Sequence, residues 1–196
     1  MPILSKLEAV NIILKAIEED KVSSLEAGLP DAEHALETLE EVSRDIQAIG
    51  WHCNTENEVL LTRDGDNKIA LPNSTLNVDA DGDSSDLDVV QRGEFLYDRE
   101  NKTFTFDSDV YVALTYLLDY EDLPYRLALY IALEAAGRHQ MRSLGAAEID
   151  KSLQRDISTA KSRLEEAEEQ VDDANVLRDS DSVRAVAWRN NPRALR

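Results

Sequence analysis

The chain has 196 residues, 42% of them apolar, and a formal net charge of −19 from 21 basic and 40 acidic side chains. That length hides roughly 70% of the unfolded surface on folding, enough for a core, while the acid excess excludes a body that grips nucleic-acid phosphates or anionic membranes through Lys and Arg. One cysteine, Cys53, excludes an intrachain disulfide and paired-cysteine zinc frameworks, and fits a reducing compartment.

Met1 to Asp20 lacks the basic, apolar and small-residue succession of a secretory leader. Ser5 and Glu8 form a capping-box pair ahead of Leu7, Val10, Leu14 and Ile17, which predicts a first helix over Lys6 to Glu19. After the connection Lys21 to Leu29, Pro30 and Asp31 open a second helix. Its stripe is Ala32, Ala35, Leu36, Leu39, Val42, Ile46 and Ile49, and Gly50 stands where a left-handed cap belongs.

The period then changes. Glu58 to Thr62 and Lys68 to Leu71 read as extended runs around a hairpin turn, Arg63 to Asn67. Further strand candidates are Leu87 to Val90, Glu94 to Tyr97, Thr103 to Phe106 and Val110 to Leu118, with a turn at Arg92-Gly93. Val110 to Tyr120, rich in Val, Tyr and Thr, suits a strand packed within a sheet.

Asp122 and Pro124 open a third helix with Leu127, Ala128, Ile131, Ala135 and Leu144 on its apolar face and Gly145 at its end. Its most apolar run, Leu127 to Leu133, is far shorter than the ~20 residues of a membrane span. A fourth helix is predicted from Ala146 to Arg178. Leu153, Ile157, Ala160, Leu164, Ala167, Val171 and Ala174 alternate spacings of four and three along it, a heptad seam that packs on the other helices or on a neighbouring subunit.

These elements predict an α+β fold: an antiparallel four-helix bundle, residues 1–50 and 121–178, interrupted by an antiparallel β insertion over 51–120. A basic arm, 179–196, follows the long last helix. Val183 to Arg196 holds four arginines and no acid, against 17 basic and 40 acidic side chains in the rest. Arg184, Trp188, Arg189, Arg193 and Arg196 have the Arg-and-aromatic chemistry of interface anchors, and a basic end on an acidic body points to docking elsewhere.

Candidate sites of chemistry are weak. Asp79 to Asp88 holds five aspartates, but counting from Asp79 puts Ser84 and Val90 where a calcium loop needs Gly and Glu, so the stretch reads as a solvated, mobile loop. His52 and Cys53 lack the further ligands of a zinc site, with His34 and His139 placed in helices; they read as packing behind Trp51. No nucleophile elbow or phosphate-binding loop is present. Asp119 with Glu121 or Asp122 offers carboxylate pairs, read more simply as solvated acids with Asp122 as a helix cap. No metal, cofactor or catalytic residue is expected.

Ala9-Val10-Asn11 with Leu14, Val22 to Glu26, Ile46-Gln47 leading to Gly50-Trp51, and Asn54-Thr55-Glu56 follow one another in an order that resembles the tail tubular protein A family of short-tailed bacteriophages. Tyr97-Asp98, Phe104 and Phe106, Asp119-Tyr120, Leu123-Pro124 and Tyr130-Ile131 continue the resemblance in the same order. It covers about residues 5 to 178 and leaves out the last fourteen. The resemblance implies an adaptor, or gatekeeper, assembled as a dodecameric ring between the portal protein and the tail nozzle, tail tubular protein B. Tail fibres would attach near that junction and genomic DNA would pass through without specific binding or membrane anchoring. It implies a place in the virion tail, after assembly in the host cytoplasm, and a C-terminal arm that reaches the portal. The acidic body agrees with a duct that repels phosphate. Two other readings stand beside it: a tail-associated carbohydrate or cell-wall hydrolase using a carboxylate pair, and a cellular coiled-coil scaffold joined through the seam.

Overall fold

The computed structural model describes residues 4–25, 29–144 and 150–179. Gly145, Ala146, and the arm residues Arg184, Trp188, Arg189, Arg193 and Arg196 lie outside them.

Helix α1 spans Lys6–Ala16, and its capping box is formed: Glu8 N–H donates to Ser5 Oγ at 3.2 Å and Ser5 N–H to the Glu8 carboxylate at 2.9 Å. It stops short of Glu19 because Glu18 turns to φ 62° and Glu19 N–H closes back on Leu14 O. The buried face is Ala9, Val10, Ile13 and Leu14, while Leu7 and Ile17 are only half-buried. Asn11 holds the following connection by donating to Val22 O and accepting its N–H.

Helix α2, Pro30–Gln47, starts on its proline and buries Ala32, Ala35, Leu39, Val42 and Ile46. Ile49 departs from the predicted stripe. It falls beyond the helix end and is 68% exposed, since the chain swings away at Gly50, whose φ is +84°.

Helix α3 is Tyr125–Leu144 and α4 is Lys151–Asp179. Asp122 does not cap α3. It closes a 3-10 turn, Tyr120–Asp122, and the helix begins where Pro124 O accepts Ala128 N–H. At the start of α4, Asp150 Oδ1 accepts the N–H groups of Ser152 and Leu153. Helix α3 touches α1, α2 and α4. Its Leu127, Ala128, Ile131, Ala132, Ala135 and Ala136 are buried in one cluster with the apolar faces of α1 and α2 and with Leu164 of α4.

Between Gly50 and Tyr120 lie strands β1 (Thr55–Leu61), β2 (Thr75–Ala80), β3 (Val89–Arg92), β4 (Phe95–Asp98) and β5 (Val110–Tyr116). A three-stranded antiparallel sheet has the order β1-β5-β2, and β3 pairs with β4 through the Gly93 turn, φ +64°. Val110, Val112 and Leu114 of β5 are buried with Ile69, Leu71, Val78, Val89, Leu96 and Phe106 in a second apolar cluster. The most β-branched and apolar strand therefore takes the centre.

Three expectations change here. The 63–67 turn forms locally, with Asp64 N–H on Lys68 O, but does not fold Lys68 to Leu71 back on β1, whose partner is β5. Lys68 to Leu71 and Thr103 to Phe106 contribute only isolated bridges, Lys68 to Thr105, Ala70 to Phe95 and Asp98 to Thr103, because Ile69, Leu71 and Phe106 turn inward as plugs of the core. The aspartate-rich stretch is tethered. Asp79 and Ala80 end β2, Gly82–Ser84 forms a 3-10 turn, Asp81 N–H bonds Tyr111 O, and Ser84 Oγ accepts Tyr111 N–H.

Candidate functional site

No described residues gather three or more His, Cys, Asp or Glu side chains as a metal would need, and no described helix is long and apolar enough to cross a membrane. Asp119, Glu121 and Asp122 are exposed around the turn before α3.

The joint between helices and strands is polar and buried. Gln47, 0% exposed, donates to Ser43 Oγ and Leu118 O and accepts Leu118 N–H at 2.9 Å. Asn54, 2% exposed, donates to Gln47 O at 3.0 Å and Tyr116 O at 2.8 Å, and its carbonyl accepts Trp51 N–H. These two side chains tie the end of α2, the entry to β1 and the exit of β5 into one knot. A donor or acceptor lost here leaves its partners buried and unpaired. Reading by apolar period missed both residues. The signal was there: Gln47 follows Ser43 on the flank of the α2 stripe, where a polar side chain demands a partner.

Trp51 anchors the same joint through Nε1–H on Ile46 O at 2.8 Å. Cys53 is half-buried against the helical core, where burial pushes its thiol upward, followed in effect by the Glu168 charge. His52 does not pack behind Trp51. It is exposed, and its N–H donates to Glu168 of α4 at 2.8 Å, while its neighbours Trp51, Cys53 and Asn54 turn inward.

Along α4, Ala160 and Leu164 are buried at 7% and 3% exposure, and Leu153, Ile157, Ala167 and Val171 are half-buried. Glu165, Glu166 and Glu169 stand exposed. Between α2 and α3, Arg142 grips Glu41 with two bonds, 2.7 and 2.9 Å, and Arg138 reaches Glu41 at 3.1 Å and Asp45 at 2.7 Å. Arg142 above all, with Arg138, holds the Glu41 carboxyl down at about 2.

His139, 4% exposed, lies between two hydroxyls: Thr38 Oγ1 at 3.3 Å from Nδ1 and Ser143 Oγ at 3.3 Å from Nε2. Thr38 spends its only proton on His34 O, so Nδ1 carries the hydrogen and Nε2 accepts from Ser143. The ring is held neutral. Burial, then the neighbouring His34, pushes its pKa below the ordinary value.

Comparison with known proteins turns this architecture into an assignment. The sequence model of the tail tubular protein family matches residues 7–174, from the first turn of α1 to the second half of α4. The chain belongs to the tail tubular protein family. It is 32% identical over 143 residues to tail tubular protein A of Klebsiella phage KP34, an overlap of 72% of this chain and 75% of that protein. A tail tubular protein is a structural component of a bacteriophage tail and a constituent of the virion. The family match takes in α2, α3, the five strands, the Gln47–Asn54 joint and most of α1 and α4, and ends within α4.

Proposed function

We propose that the protein is the adaptor ring between the portal protein and the nozzle, tail tubular protein B. In this reading it forms part of the channel through which DNA leaves the capsid, and a platform for tail fibres. The observation that carries the reading is family membership over 7–174. The helices form one discontinuous bundle that builds the ring, residues 51–120 project from it as an insertion, and the Gln47–Asn54 knot fixes the angle between the two. A dodecamer would multiply a charge of −19 per subunit, and an acidic lumen lets DNA slide rather than stick.

The arm carries the portal contact through Arg184, Trp188, Arg189, Arg193 and Arg196. Subunits assemble in the host cytoplasm and remain in the virion tail. Binding is the whole activity, so no residue is assigned a catalytic role. Burial of Ala160 and Leu164 supports use of the seam within the subunit rather than as a free coiled coil.

Light scattering and negative-stain microscopy of the purified protein, alone and mixed with its portal, test the reading. A ring on the portal is expected, and a stable dimer or trimer indifferent to it would overturn the adaptor role. Truncation after Arg178 should leave a folded subunit that no longer joins the portal; undiminished joining would remove the arm from the reading.

A further inference from the structure

Helix α4 is electrically divided. Its first half, Lys151 to Leu164, carries four basic side chains, Lys151, Arg155, Lys161 and Arg163, against the single acid Asp156. From Glu165 to Asp179 it carries seven acids and one base, Arg178. The two halves also differ in what they pack on. Arg126 Nη1 donates to Arg163 O at 3.2 Å, so the start of α3 lies beside Arg163, and Leu164 is the last residue of the stripe in the helical cluster. Glu168, on His52 N–H, is the last described side chain of α4 bonded to another element. Ala167 and Val171 continue the stripe but belong to neither apolar cluster, and the helix runs on for about 16 Å past Glu168.

Beside the basic half, α3 and α4 leave an open groove of about 480 Å³. Tyr125, Leu129 and Leu133 form its apolar wall, and Arg126, Arg163 and Asp156 line it as well. Tyr125 is 49% exposed. Among the described residues neither Arg126 nor Arg163 has a carboxylate at salt-bridge distance, although Arg63, Arg99, Arg138 and Arg142 do.

We propose that this groove receives the overhanging end of α4, Ala167 to Ala174, from a second copy of the chain. The proposal rests on the ring reading above and names two unlike patches of the kind that a cyclic ring joins. Charge, shape and length each select this occupant. Copies that each carry −19 repel one another unless cations are set against acids where they touch. Helical period puts Glu166 and Asp173 on one flank of the Ala167, Val171, Ala174 stripe and Glu168 and Asp172 on the other, which brings acids to the unpaired Arg126 and Arg163. Small seam residues let the helix lie close on the larger Tyr125, Leu129 and Leu133. The stripe is about 10 Å long and the wall from Tyr125 to Leu133 about 12 Å. Other exposed acids lack such a stripe. Glu33, Glu37 and Glu40 lie on α2, whose apolar face is buried in its own core, and Asp83 and Asp86 stand in the tethered stretch after β2.

The test is a charge exchange read by sedimentation and negative-stain microscopy, at high protein concentration and on the portal. The double variants Arg126→Glu with Arg163→Glu, and Asp172→Lys with Asp173→Lys, should each weaken self-association by about tenfold or more. An equal mixture of the two should rebuild the ring, since each reversed patch then finds its opposite only on the other variant. Glu169→Lys, on the side of α4 opposite the stripe, should assemble at least as well as the parent, which separates a matched contact from an effect of net charge. Far-UV circular dichroism and the unfolding midpoint verify that the variants fold; should reversal of the arginines disturb α3, Val171→Asp is expected to show the same loss. Either double variant assembling like the parent, a mixture of folded variants that stays apart, or an equal loss from Glu169→Lys overturns the pairing while the ring stands. An Arg126/Arg163 variant that rings normally yet no longer takes up the next tail component assigns the groove to that component and likewise overturns it. A parent protein that never rings, with or without the portal, overturns the adaptor reading and the pairing together.

Discussion

At the level of single residues, the polar groups that periodicity passes over hold the structure in register. Asn54→Leu strips two donors and an acceptor from the joint and strands the carbonyls of Gln47 and Tyr116; urea unfolding should show a loss of about 2–4 kcal/mol. Glu41 titrates near 2 in the folded chain against an ordinary 4.5, so the unfolded chain takes up its proton first. The contribution of this ion pair is complete above 4.5 and is lost as pH falls toward 2. Glu41→Gln should flatten the stability profile in that window and leave the profile above it parallel to the parent's. His139 has its pKa lowered from 6.5, so a folded chain that keeps the ring neutral is fully stable above that value and loses stability below it. His139→Gln should remove most of the stability difference between pH 7.5 and 5.5, measured by urea denaturation. Sequence placed His139 on a helix, one turn before its partner Ser143, but gave no sign of Thr38, which is 101 positions away.

Among elements, the capping box at Ser5, the proline start of α2 and the Gly93 turn were readable because their causes are local: a side chain three residues from its target, or a φ that glycine tolerates. Gly50 unites both kinds of constraint. With φ +84° and an added Cβ only 3.3 Å from the hydroxyls of Thr55 and Thr115, Gly50→Ala should cost about 1–3 kcal/mol in unfolding free energy. Helix α4 was readable as an amphipathic rod, and the structure adds which positions are covered. Leu164→Ala is expected to destabilise by about 2–5 kcal/mol, whereas Glu166→Ala should stay within about 0.5 kcal/mol, compared by chemical denaturation. Strand pairing was not readable. The 63–67 turn has hairpin chemistry, yet β1 finds its partner some fifty residues on, because β5 buries Val110, Val112 and Leu114 at the centre and needs a neighbour on each side. Strand β2 was hidden by its Asn and Asp residues. It is held by backbone bonds to β5, with Val78 the main apolar side chain it buries.

Across the whole molecule, two apolar clusters, one on the helices and one on the strands, meet through the polar joint of Gln47 and Asn54. The sequence by itself determined the order of the helices, the α-then-β-then-α division, the acidity and the family, since periodicity, turn chemistry, charge and an ordered series of short motifs are written along the chain. Only the tertiary structure decided that β5 is central, that α3 is the helix the other three touch, that the aspartate stretch is tethered, and that Arg92, Tyr97 and Phe104 form one face. Each of those depends on which distant segments bury one another's apolar surface and satisfy one another's hydrogen bonds. That is a property of the packed chain and not of any stretch of it.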